Sequence, residues 1–172
     1  MRRLLQSLLT VPLLACAPED EPPAHDPDEE IARAITYAET LEQLDLAPVM
    51  TQHLEGMGLA SIWADSDSAA HYRTLAPMQL ETSEPFPEGS IFVKSNFDAL
   101  GEPVDVLNVM VKFEPGYNPD GNDWFFAAIT REGEIIDGIA GGGAKVEFCR
   151  DCHSQMGVNS DFVIGLLPEQ LK

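Results

Sequence analysis

The 172-residue chain is poor in cysteine, in basic side chains and in long apolar runs. Its three cysteines, Cys16, Cys149 and Cys152, are too few for a disulfide framework. A zinc site would need a second ligand pair beside Cys149 and Cys152, and only Cys16 remains. Lys and Arg number 10 against 29 Asp and Glu, a formal charge of −19. So acidic a surface excludes nucleic acid and bare anionic lipid as electrostatic partners. It steers a basic protein partner through encounter rate more than through affinity. The longest apolar stretch, Leu4 to Leu14, is too short to span a bilayer.

What is present is concentrated near the two ends. Cys149-Arg150-Asp151-Cys152-His153 places two cysteines two residues apart with a histidine directly after. That order is the attachment signature of a c-type haem. Each thiol adds across one porphyrin vinyl group, and two intervening residues span the distance between the vinyls. The next residue then falls under the iron, where the imidazole of His153 becomes the proximal ligand. A thioredoxin-like dithiol would open a long helix inside a βαβ unit, and only the short stretch to Lys172 follows His153. The histidine after Cys152 decides for covalent haem c over a dithiol or a disulfide.

At the other end, Met1-Arg2-Arg3 and the apolar Leu4 to Leu14 read as the n- and h-regions of an export signal over residues 1–15. Leu13-Leu14-Ala15-Cys16 resembles the lipobox of bacterial lipoproteins, which implies diacylation of Cys16 and a firm multi-chain anchor. Export agrees with c-type haem attachment, which in bacteria takes place outside the cytoplasmic membrane. No aspartate follows Cys16, so the expected address is the periplasmic side of the outer membrane. Removing Arg2 and Arg3 with the signal takes the charge from −19 to −21. Residues 16–27, rich in proline and acid, read as a solvated tether in which His25 faces water. Residues 28–172 suffice for one core.

That domain reads as α+β, mainly β. Ile31, Ala34, Ile35, Ala38, Leu41 and Leu44 form one apolar stripe at helical spacing, capped by Asp26 or Asp28, with Pro27 in the first turn. Leu59 to Ala64 reads as a strand, and Ser66 or Asp67 caps a short helix through Tyr72 and Leu75. Three stronger strands follow, Ser90 to Phe97, Val104 to Phe113 and Asp123 to Thr130, joined by turn-rich links that predict an antiparallel meander. A short strand at Ile135-Ile136 and the glycines 141–143 lead to the CxxCH segment without side-chain bulk.

Within this order, Phe86-Pro87-Glu88-Gly89-Ser90-Ile91-Phe92-Val93-Lys94 resembles the "FPEGSVFVKE" segment of the cytochrome P-460 family. Met110-Val111-Lys112, Gly116-Tyr117-Asn118-Pro119 and Asp123-Trp124-Phe125-Phe126 resemble its "MVK…GYNP…DWFF" block, and the C-terminal CxxCH completes the match from Gly58 to Gly165. The family includes the cytochromes c-prime-beta. The resemblance implies an antiparallel β-fold, a homodimer and a five-coordinate haem with an open distal face. The ligands it implies are small nitrogen species, with hydroxylamine oxidised by some members and nitric oxide bound by others.

Strand parity separates the candidate side chains. Phe92, Lys94 and Asn96 share one face, and Ile91, Val93, Ser95 and Phe97 the other; on the next strand Val106, Asn108 and Met110 share a face. Lys94 matches the family lysine that hydroxylamine-oxidising members link to the porphyrin edge; the bland alternative is a solvent-facing strand lysine. Asn108 falls where those members place a distal glutamate. A carboxamide is no base at neutral pH, so this departure argues against efficient hydroxylamine oxidation. Asn108 is left as a donor to a bound ligand or as an ordinary strand asparagine. Phe92, Phe125 and Phe126, with Trp124, are candidates for a distal wall or for plain core packing. Met156 would share the proximal side with His153, while His53 and His71 are either sixth ligands or ordinary surface or core histidines. The functions that follow are chemistry on a small nitrogen ligand with electrons passed to another cytochrome, or electron transfer alone through a six-coordinate haem.

Overall fold

The computed structural model describes residues 25–53, 58–77 and 79–172, and the export signal and Cys16 expected from the sequence lie outside them. One antiparallel sheet forms the body. Its strands are β1 (Glu42–Gln43), β2 (Val49–Thr51), β3 (Gly58–Ala64), β4 (Ile91–Phe97), β5 (Pro103–Lys112), β6 (Trp124–Ile129) and β7 (Ile135–Gly141). They lie in the order β1-β3-β4-β5-β6-β7, with β2 also paired to β3. The expected meander is therefore present as β4-β5-β6, extended by β3 on one side and β7 on the other. The short helices are α1 (Pro27–Ile35), α2 (Tyr37–Thr40), α3 (Ser66–Tyr72) and α4 (Glu147–Met156). This is the α+β, mainly β, architecture expected from the sequence.

Both faces of the sheet are covered, so its central strands are apolar on both sides. Ile91, Val93, Leu107, Val109, Val111, Phe125 and Ile129 form a core with Ile31 and Ala34 of α1. Phe92, Met110, Trp124 and Phe126 form the opposite core with Tyr72 of α3, Val146, Phe162 and Val163. The parity read from the sequence holds: Lys94 pairs across the strands with Asn108, and Phe92 with Met110.

The first helix is shorter than its stripe predicts. Asp26 caps it by accepting from Asp28 N, and Pro27 begins it, but it ends at Thr36. Leu41 is already extended, and Gln43 pairs with Trp63 of β3. Leu44 then joins the core on the other face of the sheet from Ile31. Strand pairing overrides helical spacing here because buried Asp45 fixes the turn, accepting from Ile62 N at 2.6 Å and Ser61 Oγ at 3.1 Å. The cap of α3 is Asp65 rather than Ser66 or Asp67. His25 does not face water. It stacks on Phe113 with ring centres 5.0 Å apart, and its two ring nitrogens lie 3.2 Å from Glu30 and from Glu88.

Strand β7 runs five residues beyond Ile136, to Gly141. The glycines that follow serve a contact the sequence does not announce. A Cβ on Gly142 would stand 2.7 Å from Cβ of Asn118 and 3.1 Å from the Tyr117 ring, so the chain passes hard against the β5–β6 loop on its way to α4.

Candidate functional site

The face of the sheet opposite α1 carries a part-open cleft with about 360 Å³ of space, counting its mouth. Phe92 and Lys94 reach it from β4, Asn108 and Met110 from β5, Phe126 from β6, and Cys149 and His153 from α4. His53, just past the end of β2, completes the wall. Seven residues singled out in the sequence, Phe92, Lys94, Asn108, Phe126, Cys149, His153 and His53, thus converge on one place. Cys152 lies on the same helix, exposed, and both cysteines are free thiols.

α4 presents His153 inward because the preceding Gly141–Val146 stretch brings Val146 into the core, and because its C-terminal segment folds back. Buried His153 has its Nδ1 2.8 Å from the carbonyl oxygen of Phe162, which fixes the ring and leaves Nε2 free. Its edge meets Phe126, with ring centres 5.6 Å apart. Burial and the positive charge of Lys94 pull its pKa down to about 4, against the Phe162 hydrogen bond, so the imidazole is neutral at physiological pH. Neutral imidazole is the form that ligates a metal.

The segment after α4 is built to hold that carbonyl. Gly157 lies so close to Phe162 that a Cβ there would stand 2.7 Å from the Phe162 carbonyl carbon. Asp161 and Phe162 both have positive φ, 51° and 66°, a conformation such residues rarely adopt. They are pinned from outside: Lys112 Nζ donates to both Asp161 carboxylate oxygens at 2.8 and 2.7 Å, Phe86 N to Oδ2 at 2.9 Å, and Trp124 Nε1 to the Asp161 carbonyl at 2.7 Å. Three stretches that carry the family resemblance therefore meet on one loop beneath His153.

Lys94 is half-buried, and among the described residues no acceptor meets its Nζ. Desolvation pulls its pKa down to about 8, opposed by the charge of Cys152. Asn108 is oriented by Asn96. The Asn96 Nδ2 faces the carbonyl oxygen of Val106 at 3.0 Å and donates to Asn108 Oδ1 at 2.8 Å. Asn108 therefore turns its oxygen to Asn96 and keeps its amide N–H groups for the cleft.

Phe92 and Phe126 wall the cleft, whereas Phe125 packs in the opposite core, stacked on Phe113, and Trp124 is fully buried in the loop contact. Met156 is exposed on the helix that carries His153, and His71 stacks on Phe86 outside the cleft. Of the two histidines left open by the sequence, His53 is the one that lines the cleft. It accepts or donates at 2.7 Å between Nδ1 and Thr51 Oγ1, and burial with the charges of Lys94 and His153 lowers its pKa to about 2. The Thr-x-His spacing at the end of an apolar strand was its only local sign.

The donors suit the haem that the motif implies. A neutral, anchored imidazole and two free thiols two residues apart stand on one helix, and a thiol and the imidazole face an aromatic-walled cleft. Compared with family models, curated proteins and solved structures, the chain matches none, so the site stands on its own geometry.

Proposed function

We propose that this chain is an exported, lipid-anchored monohaem c-type cytochrome of the cytochrome P-460 type. It acts as a homodimer on a small nitrogen ligand, nitric oxide or hydroxylamine, and exchanges electrons with another cytochrome. The observation that carries this reading is the convergence of Cys149, His153, Lys94 and Asn108 on one cleft, from elements far apart in sequence. Bound there, a haem supplies one-electron chemistry and a coordination position for a small ligand.

The chain's own side chains divide the remaining work. Cys149 and Cys152 would anchor the porphyrin edge, and His153 would ligate through Nε2. A carbonyl on Nδ1 makes Nε2 the stronger ligand, so the Phe162 carbonyl would tune a bound iron from behind. Phe92 and Phe126 exclude bulky ligands and water. Asn108 donates a hydrogen bond to what binds, and it takes no proton at neutral pH. That difference favours binding and electron exchange over oxidation of hydroxylamine. Lys94 stands where the resemblance implies a porphyrin-linked lysine; a Soret band displaced strongly to the red in the reduced protein reports such a link.

The direct test is haem stain after denaturing electrophoresis of protein exported from a host with haem-attachment machinery. Wild type retains stain, Cys149→Ala and Cys152→Ala each keep at most one thioether, and the double variant loses covalent haem. A double variant that stains as strongly as wild type would sink the reading.

A further inference from the structure

We propose that His53 is the second axial ligand of the iron, giving the resting site two imidazoles, a departure from the five-coordinate haem that the resemblance implies. This rests on the haem reading above. His53 and His153 line the same cleft with ring centres 6.1 Å apart and planes inclined by 29°. A metal–imidazole nitrogen bond is about 2.0–2.1 Å, so two imidazoles sharing one ion along its axis hold their ring centres about 6 Å apart. A histidine that only donates to a bound ligand, without touching iron, would stand farther off by roughly the length of that ligand.

The two rings are also prepared alike. Each has Nδ1 engaged, His153 by the Phe162 carbonyl at 2.8 Å and His53 by Thr51 Oγ1 at 2.7 Å. In each the free nitrogen is Nε2, the pattern expected where a partner on Nδ1 sets the ring's orientation. Thr51 is itself fixed, buried at the end of β2 and paired with Gly58 of β3. Among the described residues the other candidates are out of place: Met156 is exposed on the helix of His153, His71 is stacked on Phe86, and His25 stacks on Phe113 on the far core.

The consequence for the proposed function is a gate. Nitric oxide or hydroxylamine reaches the iron only after His53 leaves, so at high ligand concentration the binding rate levels off at the rate of that departure. Lys94 lines both the cleft and the hollow beneath β2, on whose wall Thr51 also stands.

The experiment uses the exported, haem-loaded protein, checked by haem stain so that loss of haem is separated from loss of a ligand. Ferric wild type shows a low-spin electron paramagnetic resonance signal, with the near-infrared magnetic circular dichroism band of two imidazoles. His53→Ala becomes high-spin, keeps its haem stain, regains the low-spin signal with added imidazole, and binds nitric oxide at a rate linear in concentration. A high-spin wild type, a near-infrared band of an imidazole–amine or imidazole–thioether pair, or a low-spin signal that survives in His53→Ala would each overturn the proposal. Should His53→Ala fail to load haem, the wild-type near-infrared band decides alone. Wild type without haem stain overturns the haem reading and this ligand with it.

Discussion

A single amide in the cleft limits what the site does with protons. Asn108 is committed through its oxygen to Asn96, so what it offers the cleft is a donor. Asn108→Glu places a base there, directly across the strands from Lys94. A positioned base contributes about a hundred- to ten-thousand-fold to rate. The expected result is weak wild-type hydroxylamine oxidation and a gain in the variant, measured as reduction of an electron acceptor; vigorous wild-type turnover would contradict it. Lys94 supplies the pH dependence. Its folded pKa, near 8, lies below the ordinary lysine value of 10.5, so folding opposes its charged form. The penalty is complete below pH 8, where both states are protonated, and it fades as pH rises through 8 toward 10.5. It amounts to at most about 3 kcal/mol, less what partial exposure screens. Haem-free wild type should therefore gain stability over that window relative to Lys94→Met, by denaturant unfolding; parallel curves would show that Lys94 is solvated. The faces of these residues were legible because strand periodicity is strictly two. The choice between His53 and His71 was left open there, since what separates them is a neighbour a hundred residues away in the chain, His153, beside which His53 stands.

At the scale of elements, α4 is held less by its own sequence than by the loop that follows it. Lys112 and Asp161 are a buried pair, with side chains 12% and 6% exposed, whereas Arg150 meets Glu147 and Asp151 at the surface. Lys112→Met leaves Asp161 buried without its cation and should cost about 3–5 kcal/mol. Arg150→Met should cost no more than about 1 kcal/mol. Chemical denaturation of the two variants compares them directly, and equal losses would refute the ranking. Gly157→Ala drives a methyl group into the Phe162 backbone. It should cost about 1–3 kcal/mol. On the His53→Ala background, where the proposed haem would be five-coordinate, the same variant should weaken the hold on His153 and lower the iron–imidazole stretching frequency in resonance Raman spectra of the ferrous form. Strands β4 to β6 were legible from β-branched and aromatic runs between turn residues. The turn to extended chain after α2 was not, because Asp45 anchors the following segment through contacts with Ser61 and Ile62 that no local pattern announces. The Lys112–Asp161 contact was equally hidden, although Lys112 stood in plain view within a recognised motif.

For the molecule as a whole, charge is the dominant property. The formal charge of −19 makes encounter with small redox reagents depend on their sign. With the haem in place, electron transfer from a cationic reagent should slow as salt is raised, and from an anionic one it should quicken. The screening length shrinks to about 8 Å near 0.15 M salt, so most of the change falls below that concentration. Stopped-flow rates against ionic strength test it, and no opposite trend for the two reagents would mean that the cleft lies in a locally neutral field.

The thiol of Cys149, half-buried in the cleft wall, bears on how such a protein is assembled. Burial pushes its pKa up to about 11, with the Cys152 charge adding to the effect and a backbone hydrogen bond opposing it. At neutral pH only about one molecule in ten thousand then carries the nucleophilic thiolate. The finished fold is thus a poor reactant for its own maturation. If haem attaches as proposed, attachment and closure of the sheet would run as a race, in which the covalent bonds form while the segment around α4 is still loose. A chain that folded early would hide Cys149 before its bond could form, so the timing of folding rather than affinity would set the yield of loaded protein.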